Sequence, residues 1–269
     1  MLSDRGIADG PQLHRQDGFT LIELLVVILT ATVIAGALFT ILDVTLRSTT
    51  RTFTRVDATQ RARTKLEALE NELHSACVAA NVTPIEAGST GTTLNFLSYY
   101  GDAASPTPVW HSVVFSSGTL TDSSYSVSGI APNWTQGTLQ SSYQLLNNTA
   151  QIGTTPPFQY FAYQEAPNGS GGYYTDGAGN PYMMLLDGTS SVPGTNTFPA
   201  ASPLATPLSA ANAALAAEVL INLSVGPTGG SQENTNLSDA NVSVTDSVIL
   251  RLTPVANHIE TGANFQPCR

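Results

Sequence analysis

The sequence predicts an α+β fold in which a long N-terminal helix, first membrane-spanning and then amphipathic, packs on an antiparallel β-sheet head. Three observations carry that prediction. Residues 19–42, FTLIELLVVILTATVIAGALFTIL, form an apolar run whose only charge is Glu23. No Gly or Pro interrupts the chain between Gly36 and Pro84. From residue 81 onward, short apolar or alternating runs are separated by Gly, Pro, Ser and Asn clusters, the texture of antiparallel strands.

The first element is the apolar run. As a helix its 24 residues extend about 36 Å, enough to cross a hydrocarbon core of roughly 30 Å. Three readings fit such a run. Ala35-Gly36-Ala37 offers the small-residue cleavage site of a secretory signal, but the stretch before it exceeds the usual apolar core of about 7 to 15 residues and holds a carboxylate. An ordinary single-span anchor has no use for Glu23, because an unpaired acid in the apolar region costs on the order of 2.5–3.5 kcal/mol. The third reading is an assembly segment, in which Glu23 has a partner.

The octet Gly18-Phe19-Thr20-Leu21-Ile22-Glu23-Leu24-Leu25 supports the third, because it resembles the processing site of type IV prepilins and type II secretion pseudopilins. The resemblance implies that residues 1–18 are a leader, that prepilin peptidase cuts after Gly18 on the cytoplasmic side, and that the new N-terminal Phe19 is methylated. It also implies that Glu23 is the assembly residue. Cleavage creates an α-ammonium at Phe19, about one helical turn from Glu23. In a bundle of such helices, the amine of one subunit can neutralise the carboxylate of its neighbour, which rewards correct axial register. The layout of a long helix, an antiparallel sheet and a closing strand is similar to that of the larger minor pilins and minor pseudopilins, so the fold is expected to be pilin-like. The implied topology is single-pass, with the N-terminus cytoplasmic and the head extracytoplasmic. The charge count points the other way, since Arg47, Arg51, Arg55, Arg61, Arg63 and Lys65 outnumber Arg5 and Arg15 across the span. The processing motif is given precedence.

The second element, residues 43–80, continues the helix with a different character. Leu66, Leu69, Leu73 and Ala76 recur at three and four residues, one apolar stripe suited to packing on a sheet. Asp43 with Arg47, Asp57 with Arg61, and Arg63 with Glu67 are four apart and can pair on the wet face. Arg47, Arg51 and Arg55 form a basic row just beyond the membrane, a solvated face or a contact for acidic lipid headgroups or a neighbouring subunit.

The third element is the head, residues 81–269. Expected strands are 92–99, 109–116, 118–122, 139–146, 158–163, 218–225 and 243–252, with a hairpin at Ser116-Ser117-Gly118 and a short Ala-rich helix within 209–217. Residues 168–207, rich in Gly and Pro, are expected to be loops. The alternating Phe158, Tyr160, Phe161 and Tyr163 are read as core and sheet surface rather than a stacking platform.

Composition limits the function. The formal charge is −10 and the pI about 4.6, and beyond position 80 the only Lys or Arg residues are Arg251 and Arg269. Nucleic-acid binding, which relies on Lys and Arg to replace phosphate counterions, is therefore not expected of the head. No nucleophile elbow and no phosphate loop is present, and the mature histidines His74, His111 and His258 show no spacing of a metal or catalytic pair. No enzyme activity, cofactor or metal is expected. Asp176-Gly177-Ala178-Gly179-Asn180 has oxygen ligands on a Gly-rich loop that could seat calcium but lacks the further carboxylates of a calcium loop, so a plain turn is favoured. Asn-x-Ser/Thr triplets at Asn81, Asn133 and Asn222 are read as chance in a Ser/Thr/Asn-rich chain.

Two cysteines, Cys77 and Cys268, are too few for a structural zinc cluster. They form either one disulfide or two buried thiols. The extracytoplasmic placement implied above favours the disulfide, which would close a loop of about 190 residues and contribute roughly 5 kcal/mol on the chain-entropy model. The leading functional expectation is a filament subunit, minor or at the tip because its head is large. Its partners would be other pilins or pseudopilins through the helix, prepilin peptidase and membrane lipid. The alternatives are a pilin-type binding subunit for DNA uptake or adhesion, and a plain membrane-anchored extracytoplasmic module.

Overall fold

The computed structural model describes residues 19–77, 82–99, 108–130, 133–168, 170, 172–189, 191, 200–227 and 241–250. A single helix, α1 (Leu21–His74), opens the described chain. The strands are β1 (Thr93–Ser98), β2 (Val109–Ser116), β3 (Thr119–Ile130), β4 (Asn133–Leu146), β5 (Thr149–Ala150), β6 (Phe158–Glu165), β7 (Met183–Leu185), β8 (Ala216–Val225) and β9 (Val242–Ile249), with a short helix α2 (Ala210–Leu215) before β8. The fold is thus α+β, with a long apolar N-terminal helix followed by an antiparallel sheet head. Two compact units divide the chain, one ending at Arg51 and the other starting at Thr52, so α1 contributes to both.

In the second unit, β1-β2-β3-β4 form an antiparallel meander in chain order. The other sheet runs β5-β8-β6-β7, with β9 also on β8. Ser224 and Val225 of β8 pair with both β5 and β9, so these two strands lie on opposite edges of β8, and β8 is central. Its sequence AAEVLINLSV is buried nearly throughout, the continuous apolar run of a strand covered on both faces.

The amphipathic part of α1 packs against both sheets. Ala58, Ala62, Leu66, Leu69 and Leu73 are spaced by four, four, three and four, the helical repeat, and all five are buried. The last four share one core with Leu94, Phe96, Val113 and Leu120 of the meander and with Tyr160, Val219, Ile221 and Val248 of the second sheet. Burying each leucine there contributes about 1.5–3 kcal/mol. The buried stripe therefore begins two turns earlier than Leu66, with Ala58 and Ala62, and it ends at Leu73. Ala76 is instead half-buried and bridges Ser98 of β1. Asp43 and Arg47 pair at 3.0 Å as expected. Arg61, assigned above to Asp57, turns its guanidinium to Asn147 Oδ1 at 2.7 Å and the Gly226 carbonyl at 2.8 Å, tying helix to head.

The Ser116-Ser117-Gly118 hairpin is present. Ser116 pairs with Thr119, and Ser117 (φ 50°) and Gly118 (φ 77°) supply the two positive φ values of a type I′ turn. Several bounds differ from the sequence expectation. Strand β3 continues past Asp122 to Ile130 and β4 starts at Asn133 rather than Leu139. The added arms pair there through their backbones, and the Ser126 and Thr138 hydroxyls bond across them at 3.1 Å; nearer the turn, Ser123 bonds Ser142 at 2.9 Å and Ser124 bonds Ser141 at 2.7 Å. The expected loop region also holds β7, paired with the end of β6. The short helix is smaller than 209–217, because Ser209 caps it through a bond from the Asn212 amide, and Ala216 and Ala217 have already joined β8.

Candidate assembly segment

Among the described helices, α1 is the one long and apolar enough to cross a membrane, and none of its apolar window is buried within the protomer. Phe19 is 80% exposed and Leu21 83% exposed, and large apolar side chains stay uncovered on every face as far as Leu46. A helix apolar all round is stable only in lipid or among other helices.

Lipid offers no hydrogen bonds, so each polar group of the segment must be satisfied internally. The hydroxyls meet that requirement by bonding back to their own helix. Thr30 donates to the Val26 carbonyl at 3.0 Å, Thr32 to Ile28 at 2.8 Å and Thr40 to Gly36 at 2.7 Å. At the helix start, Thr20 acts as the N-cap, with its hydroxyl accepting the Glu23 amide at 3.3 Å and its carbonyl accepting the Leu24 amide at 3.2 Å. Thr20-Leu21-Ile22-Glu23 thus has the spacing of a capping box. Glu23 sits in the first turn, where the unsatisfied amides and the helix dipole favour a negative charge. This local role was not visible in the residue count alone, although the Thr-x-x-Glu pattern is its sequence signal. The capping bond itself is made by the backbone amide of residue 23.

Of the other residues singled out in the sequence, Cys77 lies three residues beyond the end of α1. It is buried with Val82 and Leu97 against Trp110 and Trp134, and its amide donates to the Leu97 carbonyl at 2.7 Å. Gly18, Cys268 and His258 lie outside the described residues. His74 approaches Glu70 at 3.5 Å, on its own helix. His111 is brought from β2 to Glu72 and Asp122, a cluster no local spacing announced. The Asp176 loop is a turn closed on itself. Asp176 Oδ1 accepts the Ala178 and Asn180 amides, each at 2.9 Å, and Oδ2 accepts Asn180 Nδ2 at 3.0 Å. The Asn180 side chain, with these backbone amides, holds the Asp176 carboxyl below the usual carboxylate range.

No curated protein and no solved structure matches the chain. Residues 13–39 match the family model of the prokaryotic N-terminal methylation motif. That window contains the Gly18–Leu25 octet, the capped helix start with Glu23, and the first part of the uncovered apolar helix. At this segment the chain carries the signature of the type IV pilins and pseudopilins, and a pilin-like α+β layout accompanies it.

Proposed function

We propose that the chain is the precursor of a filament subunit, a minor or tip component of a type IV pilus or a type II secretion pseudopilus. Prepilin peptidase removes residues 1–18 by cutting after Gly18 and methylates Phe19. Residues 19–42 hold the subunit in the membrane with its N-terminus cytoplasmic, residues 43–80 lead into the head, and residues 81–269 form the head outside. Assembly proceeds by packing the apolar helices, with Glu23 of one subunit matched to the Phe19 amine of its neighbour. A bridge between Cys77 and Cys268 ties the chain terminus to the base of the head in the oxidising compartment. The role is structural rather than enzymatic.

The observation that carries this reading is the methylation motif placed on a helix that is capped at Thr20 and left uncovered by the protomer. A size argument favours the minor or tip position, because a head of about 190 residues is bulky for a subunit repeated along a thin filament. The test is co-expression with and without a prepilin peptidase in a host lacking its own. The account expects a shift that removes residues 1–18 only when the peptidase is present, and cross-linked subunit contacts only in the processed form. An unprocessed chain that cross-links equally well would identify a plain anchor.

A further inference from the structure

Glu72 near the end of α1, His111 of β2 and Asp122 of β3 bring one ligand atom each to within 4.8 Å of one another. His111 Nδ1 lies 3.1 Å from Asp122 Oδ2 and 3.7 Å from Glu72 Oε2. The hairpin register explains the meeting. Asp122 pairs with Val113 and His111 with Ser124, so His111 and Asp122 are diagonal neighbours on the same face, the one turned to α1. Asp122 is fully buried and the His111 side chain is 10% exposed. The imidazole stacks on Phe96 with ring centroids 5.0 Å apart and planes 10° from parallel, which fixes its orientation. Tyr143, opposite Asp122 on β4, donates its hydroxyl to Glu72 Oε1 at 3.5 Å.

We propose that Glu72, His111 and Asp122 form a binding site for a divalent transition-metal cation of the zinc type, which clamps the end of α1 to the meander. Two of the three ligand spacings are already close to those of a metal site, and the third is within 4.8 Å. Ligand bonds of about 2.0–2.2 Å in a tetrahedron place neighbouring N and O atoms roughly 3.4 Å apart, and the observed 3.1 and 3.7 Å bracket that value. One imidazole with two carboxylates suits zinc and its neighbours better than calcium or magnesium, which favour oxygen alone. The charge fits as well, since two carboxylates with a neutral imidazole carry −2, which a divalent cation cancels and a protonated His111 only halves. Tyr143 orients Glu72 in the way outer hydrogen bonds orient metal ligands. An entry path exists, because a cavity of about 850 Å³ lined by Glu72, His111, Tyr143, Ser124 and Gln140 opens beside the cluster and can supply a water as fourth ligand.

Zinc chloride titrated into the full chain in detergent at pH 7.5 tests the proposal, by calorimetry and by thermal unfolding. The expected result is one ion per chain, with affinity reduced at least tenfold to a hundredfold in Asp122→Asn and in Glu72→Gln, and a rise in Tm on zinc addition that both variants lose. Glu72→Gln is included because its partly exposed side chain leaves the core intact if the buried Asp122→Asn disturbs folding. A cobalt-loaded sample should show the absorption of a four-coordinate site with nitrogen and oxygen ligands. No saturable zinc binding, or equal binding in wild type and Glu72→Gln, overturns the proposal and leaves His111 as a hydrogen-bonding partner of the two carboxylates.

Discussion

Replacing Glu23 by Gln removes one charge from the helix start and little else. The amide of residue 23 still donates to the Thr20 hydroxyl at 3.3 Å, and Gln serves as well as Glu at that position of a capping box, so α1 keeps its first turn. What is lost is the carboxylate that a neighbour's Phe19 amine would match. Along the helix axis, the amine and the carboxylate are about 6 Å apart, at roughly 1.5 Å per residue. A neighbour displaced by one turn aligns the pair, and a slip of one more residue begins to separate it. An unmatched acid in the apolar region costs on the order of 2.5–3.5 kcal/mol, so removing the pair should weaken each subunit contact by roughly 70- to 400-fold. The monomer should stay in the membrane, because the variant is less polar there. The assay compares cross-linked subunit ladders in membranes, and the amount of sheared filament, between wild type and Glu23→Gln at equal membrane levels. Ladders within threefold of wild type would refute the pairing argument, as would loss of the variant from the membrane fraction.

Two further perturbations test the head. Leu69→Ala empties a fully packed position between α1 and both sheets and should cost about 2–5 kcal/mol, read as a lower Tm or denaturation midpoint of the full chain with the membrane fraction unchanged. Burial pushes the Glu86 carboxyl from 4.5 up to about 7, so the folded state holds a proton that the unfolded state has released. In that window stability falls as pH rises, and after allowance for solvent reaching the carboxyl the loss is about 2 kcal/mol between pH 4.5 and 7. Glu86→Gln should therefore stabilise the protein at pH 8 and make little difference at pH 4, and identical pH profiles for the two proteins would contradict the assignment.

The elements easiest to read were those whose apolar spacing matches one period. The stripe at Leu66, Leu69 and Leu73 could be read from the sequence because each leucine is buried at the helical repeat, and the β8 run because it is covered on both faces. Ala58 and Ala62 were missed because small residues give a weak signal, although they pack as tightly as the leucines. The outer arms of β3 and β4 carry Ser, Thr, Asn, Gln and Gly where a strand reading looks for alternating apolar residues. Their cohesion comes from backbone pairing and from hydroxyl bonds such as that between Ser126 and Thr138, which only the register reveals. The Glu72–His111–Asp122 cluster was hidden for a related reason. Its carboxylates lie 39 and 11 positions from the histidine, on separate elements. The hairpin at Ser117-Gly118, itself legible, already implied that His111 and Asp122 share a face.

The central claim concerns the bond after Gly18. Intact-mass analysis of the protein purified from membranes of a host with an active prepilin peptidase tests it directly. The account predicts a chain that starts at methylated Phe19 and is two hydrogens lighter than the reduced form because Cys77 and Cys268 are bridged. A chain that starts at Met1, or after Ala37, would contradict it.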